Sequence, residues 1–475
     1  MSTSEPRRRE RVRVPPPLIP RRLASGRGAT EQPNVTDDGP AALTTPFWIA
    51  LIATGILAGL FGIVLMFVLR MAQHLGFGYD LTTFTYLGPL SFQQAVEQAP
   101  GWRRLASLAV AGVFGGVAWY LLRRYTPGEK TDVEDSVWTG TGELSFRRSL
   151  GTSFISIVVV GLGASLGREA GPRLMGAASG SVLGRWRSLS PPQRRLLVAC
   201  GAGAGLAAVY NVPLGGALFI AEVLWGEISV PVLLPALACC GIATGVSWLY
   251  IPHQPTYHAI PNYPLSPQQL IWALLAGPLI GLAAVGFVRL IGWVSAHHAS
   301  GRQVLVAPLG AFMVLGVVSL AFPQLLGNGR GMAEQAFLGE TGLVLLAALF
   351  VLKPLVTALC LGSGASGGLF TPTLSTGAML GGALGEVWNL VWPGAPSGAY
   401  ALLGAAAMLG AAMQAPVTAI VITLELTGTG IRLAVPMILA TVLATLVARV
   451  LDGYSIYSAR LAAHPRAMET PPPPV

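Results

Sequence analysis

Two glycine-rich segments far apart in the chain have the composition of interrupted helices. The first reads GASLGREAGPRLMGA over residues 163–177, and the second reads GSGASGGLFTPTLSTGA over residues 362–378. Each leads into a proline, which suits the first turn of a helix because no N–H partner is lost there. We therefore predict a helix start in each segment, with free N–H groups and a partial positive charge of about +0.5. Two such ends facing each other would bind an anion without a full positive charge, which would hold the ion too tightly for fast passage.

Glu169 lies inside the first of these segments, between apolar runs. An ionisable residue at membrane depth is costly and marks a functional site by default. We interpret its carboxylate as a tethered competitor that occupies the anion site and is released by protonation. The alternative is a salt bridge to the adjacent Arg168 at a membrane interface.

The elements that must position these residues are apolar helices. Hydrophobic residues make up 53% of the 475 residues and charged residues only 11%, against about 25% charged residues in a typical soluble domain. Several apolar runs reach the length of about 20 residues that spans a bilayer. This composition excludes a soluble globule and predicts an all-α polytopic membrane protein. The spacing of Gly377, Gly381 and Gly385 predicts close helix packing.

The chain also repeats itself at a constant offset of 203 residues. Residues 201–223 resemble residues 404–426, with Pro213 matching Pro416 and Glu222 matching Glu425. We predict two halves, roughly 44–250 and 265–462, with a substrate site at their interface. The sequence leaves open whether the halves are parallel or inverted. As repeat equivalents, the two glutamates are predicted to be helix-end partners, with proton transfer through Glu222 as the alternative.

The two ends of the chain differ from the apolar centre. Residues 1–43 carry eight arginines within the first 30 positions, and residues 463–475 are rich in proline. We predict a basic, disordered cytoplasmic tail, a transmembrane domain over 44–462 and a short proline-rich tail. Nucleic-acid binding is the alternative for the basic run and is not favoured. The four cysteines lie in apolar segments without the spacing of metal ligands, so no metal and no cofactor are predicted.

Five motifs in order resemble the CLC chloride channel and transporter family over residues 46–462. They read GREAGP (167–172), YNVPLGGALFIAE (210–222), GSGASGGLFTP (362–372), QAPVTAIVITLE (414–425) and GYSIYS (453–458). The resemblance implies an inverted repeat of about eighteen tilted and broken helices, and a homodimer with one anion pathway in each subunit. It also implies chloride and protons as partners, and a multi-pass location in a cell inner membrane or plasma membrane with both termini cytoplasmic.

The same resemblance implies roles for individual residues. Glu169 corresponds to the external gate and to part of the proton path. Tyr457 corresponds to a late tyrosine whose hydroxyl donates to the central anion, for which a membrane-interface tyrosine is the alternative. The remaining anion-binding assignments fall on the two helix starts: Gly368, Leu369, Phe370 and Ala170.

The sequence departs from the family pattern in several places. A family motif that supplies a serine hydroxyl is replaced by GEKTDVEDSV (128–137), in which Thr131 is the best substitute and Ser136 stands behind it. The acidic residues of this stretch are unusual beside an anion path. Ala170 stands where the family has glycine and the proline comes one place late, so an altered start of the gate helix is expected.

Two further residues concern the coupling of proton movement to anion movement and the charge inside the membrane. Val223 stands where well-studied antiporters of the family carry a second glutamate, which leaves channel and antiporter both open. Lys353, inside an apolar run, is expected to extend to the membrane surface or to pair with an acid.

Two other functions fit parts of the sequence, a serine hydrolase and a transporter of another solute. The patterns GASLG (163–167) and GASG (364–367) fit serine nucleophile motifs, but a nucleophile needs a base and the six histidines fall at segment ends or in loops. We therefore predict a protein that is not an enzyme. A secondary transporter of another solute would share the duplicated architecture. Chloride is the expected anion, with fluoride and nitrate as alternatives.

Overall fold

A computed structural model describes residues 43–78, 91–129, 131–138 and 140–462. Within these ranges the chain forms eighteen α-helices, as the resemblance implies. The two predicted tails, apart from Leu43, lie outside the described residues. The described part is therefore the transmembrane domain that the sequence predicts.

The helices of the first half run from α1 to α9. A π-helical turn, Ile220–Trp225, extends the eighth helix. Their bounds are α1 (Thr45–Phe77), α2 (Phe92–Gln98), α3 (Gly101–Tyr125), α4 (Val133–Trp138), α5 (Phe146–Gly161), α6 (Ala170–Trp186), α7 (Pro191–Tyr210), α8 (Pro213–Phe219) and α9 (Val230–Ser247).

The second half continues from α10 to α18, with short 3-10 turns at Gly301–Leu305, Pro323–Leu325 and Ile431–Leu433. The bounds of its helices are α10 (Pro267–Ala296), α11 (Ala307–Ala321), α12 (Arg330–Leu338), α13 (Leu343–Gly362), α14 (Phe370–Val391), α15 (Ser397–Met413), α16 (Pro416–Thr427), α17 (Ala434–Leu451) and α18 (Ser458–Ala462).

Six of the described helices are long and apolar enough to cross a membrane: α1, α3, α9, α10, α13 and α17 with the turn that precedes it. Helix α1 shows how apolar side chains and glycines are distributed between the exposed and the buried face of such a helix. Its exposed face carries large apolar side chains at helical spacing, namely Ile49, Ile52, Ile56, Leu60, Val64 and Phe67. Its buried face carries glycines that contact α9 and α7. An apolar outer surface of this kind suits lipid, which explains why so few residues of the chain are charged.

The internal repeat predicted from the sequence is visible in the backbone. Helix α7 ends at Asn211 and helix α15 ends at Gln414, and both residues adopt the left-handed conformation with φ of 59° and 57°. A proline then begins the next helix in each half, Pro213 in α8 and Pro416 in α16. The same sharp turn therefore occurs at the same place in both halves.

Glycines let the helices that carry the two interrupted segments lie directly against their neighbours. A Cβ atom added at Gly201 of α7 would overlap the carbonyl oxygen of Gly176 in α6. In the second half, a Cβ atom at Gly404 of α15 would meet the Gly377 carbonyl oxygen of α14 at 2.6 Å. The close packing predicted from the Gly377 spacing is thus observed, and it fixes the positions of α6 and α14.

We expect Gly201→Ala to destabilise the protein, because the added methyl group forces the α6 and α7 backbones apart. Overpacking of this kind costs about 1–3 kcal/mol. Gly286→Ala is the matched control, because a Cβ atom at this helical glycine meets no atom within 4 Å. Thermal unfolding of the detergent-purified protein should show a lower midpoint for Gly201→Ala and no loss for Gly286→Ala. Equal midpoints for the two variants would contradict the packing argument.

Candidate functional site

The two glycine-rich segments meet, one from each half of the chain. The Gly167 N–H donates to the Gly368 carbonyl oxygen at 2.7 Å, and the Gly368 N–H donates to the Gly167 carbonyl oxygen at 2.9 Å in an antiparallel bridge. Each segment turns away from the preceding helix at a glycine with positive φ, Gly163 at 112° and Gly364 at 86°. These turns need glycine because other residues rarely adopt such angles. The starts of α6 and α14 are thereby brought side by side.

The carboxylate of Glu169 lies at the start of the helix from the other half. Its Oε1 accepts a hydrogen bond from the Phe370 N–H at 2.8 Å, and its Oε2 accepts one from the Tyr210 hydroxyl at 3.0 Å. Phe370 is the first residue of α14, so this N–H is one of the amides without a partner inside the helix. The Glu169 side chain is buried, at 2% exposure. A carboxylate thus occupies the position at which an anion would bind.

Glycine is required around this carboxylate for a steric reason. A Cβ atom at Gly167 or at Gly368 would overlap the carboxylate of Glu169. The Gly368 N–H is used in the bridge to Gly167, so Gly368 contributes space and not its amide. Leu369 is the residue that precedes the first turn of α14.

The gate helix starts directly after Glu169 in spite of its altered motif. Ala170 is the first residue of α6, and Pro172 is accommodated within the first turn. An altered start relative to the family stays a prediction. A proline is tolerated at either place because the first turn of a helix has no N–H partner to lose.

A small cavity adjoins the gate beside Arg168. Its lining includes Arg168, Tyr210, Asn211, Gln254, Thr256 and His258. The Arg168 guanidinium carbon lies 4.8 Å from the centre of the Tyr210 ring. Tyr210, which donates to Glu169, therefore lies between this cavity and the carboxylate.

A charged cluster that we did not predict lies one helical turn beyond Glu169. Arg173 Nη2 lies 2.6 Å from Glu134 Oε1, and the guanidinium lies 5.0 Å from the centre of the Tyr457 ring. A full positive charge thus stands one helical turn from Glu169, beyond the two helix starts that form the predicted anion site. The charge is tolerated because the Glu134 carboxylate neutralises it in a buried pair. The four-residue spacing between Glu169 and Arg173 was the signal in the sequence.

Tyr457 lies in this cluster, as its assigned place in the pathway requires. Its ring packs edge-on against Phe219 with a centroid distance of 5.8 Å. Its hydroxyl contacts the sulfur of Met413 at 3.8 Å, a weak acceptor that an anion could replace. Its role in anion coordination stays a prediction.

The stretch that replaces the serine motif runs from the end of α3 to α4. Thr131 is partly buried there, and the Ser136 hydroxyl donates to the Glu143 carbonyl oxygen at 3.3 Å. Asp132 remains accessible to water although protein surrounds it. This partial desolvation and the nearby Glu134 charge raise the pKa of Asp132 to about 6. Glu134 and Asp132 are thus explained by the charge of Arg173, while coordination by Thr131 stays a prediction.

Glu222 and Glu425 form a reciprocal pair between the two halves. Glu222 Oε2 accepts from the Thr418 N–H at 2.7 Å, at the start of α16. Glu425 Oε2 accepts from the Gly215 N–H at 2.6 Å, at the start of α8. Each carboxylate satisfies the free amides of the other half's helix. This geometry is that of helix-end partners, and proton transfer through Glu222 stays a prediction.

Lys353 has no acidic partner among the described residues, and its fully buried side chain does not reach the membrane surface, so that expectation is wrong. Its Nζ donates to the Ser165 hydroxyl at 2.8 Å and to the Gly327 carbonyl oxygen at 2.9 Å. These acceptors come from the loops before α6 and α12. The lysine therefore connects the first interrupted segment to the loop before α12. Ser165, the serine of the GASLG pattern, therefore receives a hydrogen bond from Lys353 Nζ.

Comparison with known proteins agrees with this geometry. A family model described as the voltage gated chloride channel matches residues 114–449. A Citrobacter koseri protein named voltage-gated ClC-type chloride channel ClcB is 32% identical over 391 residues, which cover 79% of this chain and 91% of that protein. A Vibrio campbellii protein named H(+)/Cl(−) exchange transporter ClcA is 30% identical over 375 residues, covering 74% of this chain and 78% of that protein.

Solved structures give the same fold. The structure of a slow cyanobacterial Cl−/H+ antiporter is similar to this chain with a TM-score of 0.76 at 22% identity, covering 90% of this chain and 100% of that one. A CLC-type fluoride/proton antiporter gives a TM-score of 0.69 at 20% identity, covering 88% and 98%. At these identities the likeness shows the fold alone, and it confirms the predicted inverted repeat of broken helices.

We expect Glu222→Ala and Glu425→Ala to destabilise the protein by similar amounts, because each removes the partner of one helix start. The loss of such a cap costs about 1 kcal/mol. Glu227→Ala is the control, because Glu227 is an exposed carboxylate just beyond Glu222. Thermal unfolding midpoints of the three variants test the pairing. A loss for one glutamate variant without a loss for the other would exclude a reciprocal role.

Proposed function

The chain belongs to the voltage-gated chloride channel family, and we propose that Glu169 is the gate of its pathway and chloride its substrate. Membership of this family makes the chain a multi-pass membrane protein that transports anions. The observation that carries the proposal is the hydrogen bond between Glu169 Oε1 and the Phe370 N–H, 2.8 Å long. This amide sits at a helix start, where the dipole favours negative charge. An anion and the carboxylate therefore compete for the same donor.

Protonation of Glu169 is the proposed step that opens the gate. An ionised carboxylate makes charge-assisted hydrogen bonds to Phe370 and Tyr210, which are about twice as strong as neutral ones. A protonated carboxyl group accepts more weakly, so the anion displaces it more easily. Proton binding and anion passage are thereby linked at one site, in a channel or in an exchanger.

Proton-coupled exchange is the alternative to a channel. The named relatives include both kinds of protein. The reciprocal cap that Glu222 makes on α16 favours a channel, because its carboxylate is already used. The water-accessible Asp132, whose pKa of about 6 lies near neutrality, favours exchange because it offers another carboxyl group for proton entry.

We also propose a homodimer in the inner or plasma membrane, with both termini cytoplasmic. Basic residues gather at the end of the molecule where α3 and α6 finish and α5 and α7 begin: Arg123, Arg124, Arg147, Arg148, Arg185, Arg187, Arg194 and Arg195. Thr44, at the start of α1, accepts a hydrogen bond from Gln193 at this end, and Arg460 interacts electrostatically with Asp132 there. The positive-inside rule makes this end cytoplasmic. The Arg173 cluster then lies on the inner side of the gate.

Chloride flux from liposomes tests the gate. We expect the reconstituted wild-type protein to release chloride down an imposed gradient at a rate that depends on pH. Glu169→Gln, which cannot ionise, should abolish that dependence. An unchanged pH profile in Glu169→Gln would remove Glu169 from the gate.

The same experiment, with proton uptake recorded at the same time, separates the two modes. Proton movement locked to chloride movement would exclude a channel. Chloride efflux without proton uptake would exclude an exchanger.

Tyr210→Phe should weaken the binding of the Glu169 carboxylate in the anion site, because it removes the hydrogen bond to Glu169 Oε2. A hydrogen bond to a charged group is worth about 1.5–3 kcal/mol, so chloride should displace the carboxylate at about tenfold lower concentration. Tyr400→Phe is the control, because the buried Tyr400 hydroxyl has no hydrogen-bond partner among the described residues. Half-saturating chloride for efflux is the measurement, and equal values for both variants would contradict the role of Tyr210.

A further inference from the structure

Arg173 lies one helical turn after Glu169, the proposed gate. Its N–H donates to the Glu169 carbonyl oxygen at 3.1 Å, one turn away on α6. Side chains four residues apart project from the same face of a helix. The face of α6 that presents the gate carboxylate therefore also presents a guanidinium group.

The guanidinium is held between one carboxylate and two aromatic rings. Its carbon lies 5.6 Å from the centre of the Phe219 ring and 5.0 Å from that of the Tyr457 ring. The ring faces attract the cation, and Tyr457 also shares a side-chain hydrogen bond with it. The hydrogen bond to Glu134 involves Nη2, one of three nitrogens that carry five N–H donors in all. A small anion could therefore contact this group if the carboxylate moved.

The charges around the guanidinium come from three parts of the chain. Glu134 belongs to α4, Asp132 to the loop before it, and Glu169 directly precedes α6. The Arg173 and Glu134 side chains keep only 13% and 7% exposure, whereas Asp132 is open to water. Asp132 is therefore the water-exposed edge of a cluster whose central pair is buried.

We propose that the Arg173 guanidinium is an inner anion-binding site, occupied in this structure by the Glu134 carboxylate, which a transported anion displaces. The proposal rests on the anion pathway proposed above and assigns a charged ligand and a competing carboxylate to its Tyr457 end. The two sites follow the same principle. The Glu169 carboxylate accepts a hydrogen bond from a backbone amide. The Glu134 carboxylate accepts one from a guanidinium group that lies one turn further along the same helix face.

The chemistry of the site indicates the class of anion. A guanidinium presents a planar fork of donors that matches a planar oxyanion through two parallel hydrogen bonds. The present occupant, a carboxylate, is itself a planar oxyanion. A spherical halide cannot use the fork in this way. The inner site should therefore favour a small planar oxyanion such as nitrate over chloride.

Calorimetric titration of the detergent-purified full-length protein with nitrate and with chloride tests this site. Glu134→Gln should raise nitrate affinity about tenfold, because the charged competitor is gone. Arg173→Lys keeps the charge but loses the fork, and should bring the ratio of nitrate to chloride affinity close to one. Glu143→Gln is the matched control, since Glu143 forms an exposed pair with Arg194 at 3.2 Å.

Unchanged nitrate affinity in Glu134→Gln, or a retained nitrate preference in Arg173→Lys, would overturn the proposal. Because a single substitution leaves a buried charge unpaired and can prevent folding, Glu134→Gln/Arg173→Gln removes both charges together. This double variant should fold and lose the nitrate preference, and nitrate binding equal to that of the wild type would overturn the proposal. Chloride efflux from liposomes separates the two claims. A wild-type protein without efflux counts against the proposed function, whereas efflux with an unaltered anion preference in these variants counts against the inner site alone.

Discussion

The hydrogen bond between the Glu169 carboxylate and the Phe370 amide is the interaction on which the rest of the site depends. The donor comes from the second half of the chain and the acceptor from the first. The glycine bridge between Gly167 and Gly368 sets the distance between them, and the glycine contacts of α6 and α14 hold both helices in place. Membrane helices have little other means of fixing a free amide at this depth.

Every buried charge near the site has a partner, and the kind of partner differs. Lys353 donates to loop oxygens, and Glu222 and Glu425 accept from the helix starts of opposite halves. These interactions join elements that do not move past one another in the proposed mechanism. Glu169 and Arg173 differ, because their partners are groups that a passing anion can use or replace.

The sequence predicts well that a carboxylate lies at a helix start, because glycine, proline and one carboxylate in an apolar segment leave few other interpretations. The repeat at a constant offset predicts the equivalence of Glu222 and Glu425. It cannot predict that each reaches across to the other half, which depends on how the halves meet. The pair of Arg173 and Glu134 was missed for the same reason, since α4 and α6 meet only in the folded chain. The partners of Lys353 lie on loops whose positions no local pattern specifies.

The most direct test of the central interaction is a crystal structure of Glu169→Gln with bromide, which is located by its anomalous scattering. Without a charged competitor, the account predicts bromide within hydrogen-bond distance of the Phe370 N–H, in the place of the Glu169 carboxylate, with the glutamine side chain turned away. A glutamine that keeps its bond to Phe370, with bromide bound only elsewhere in the molecule, would contradict it.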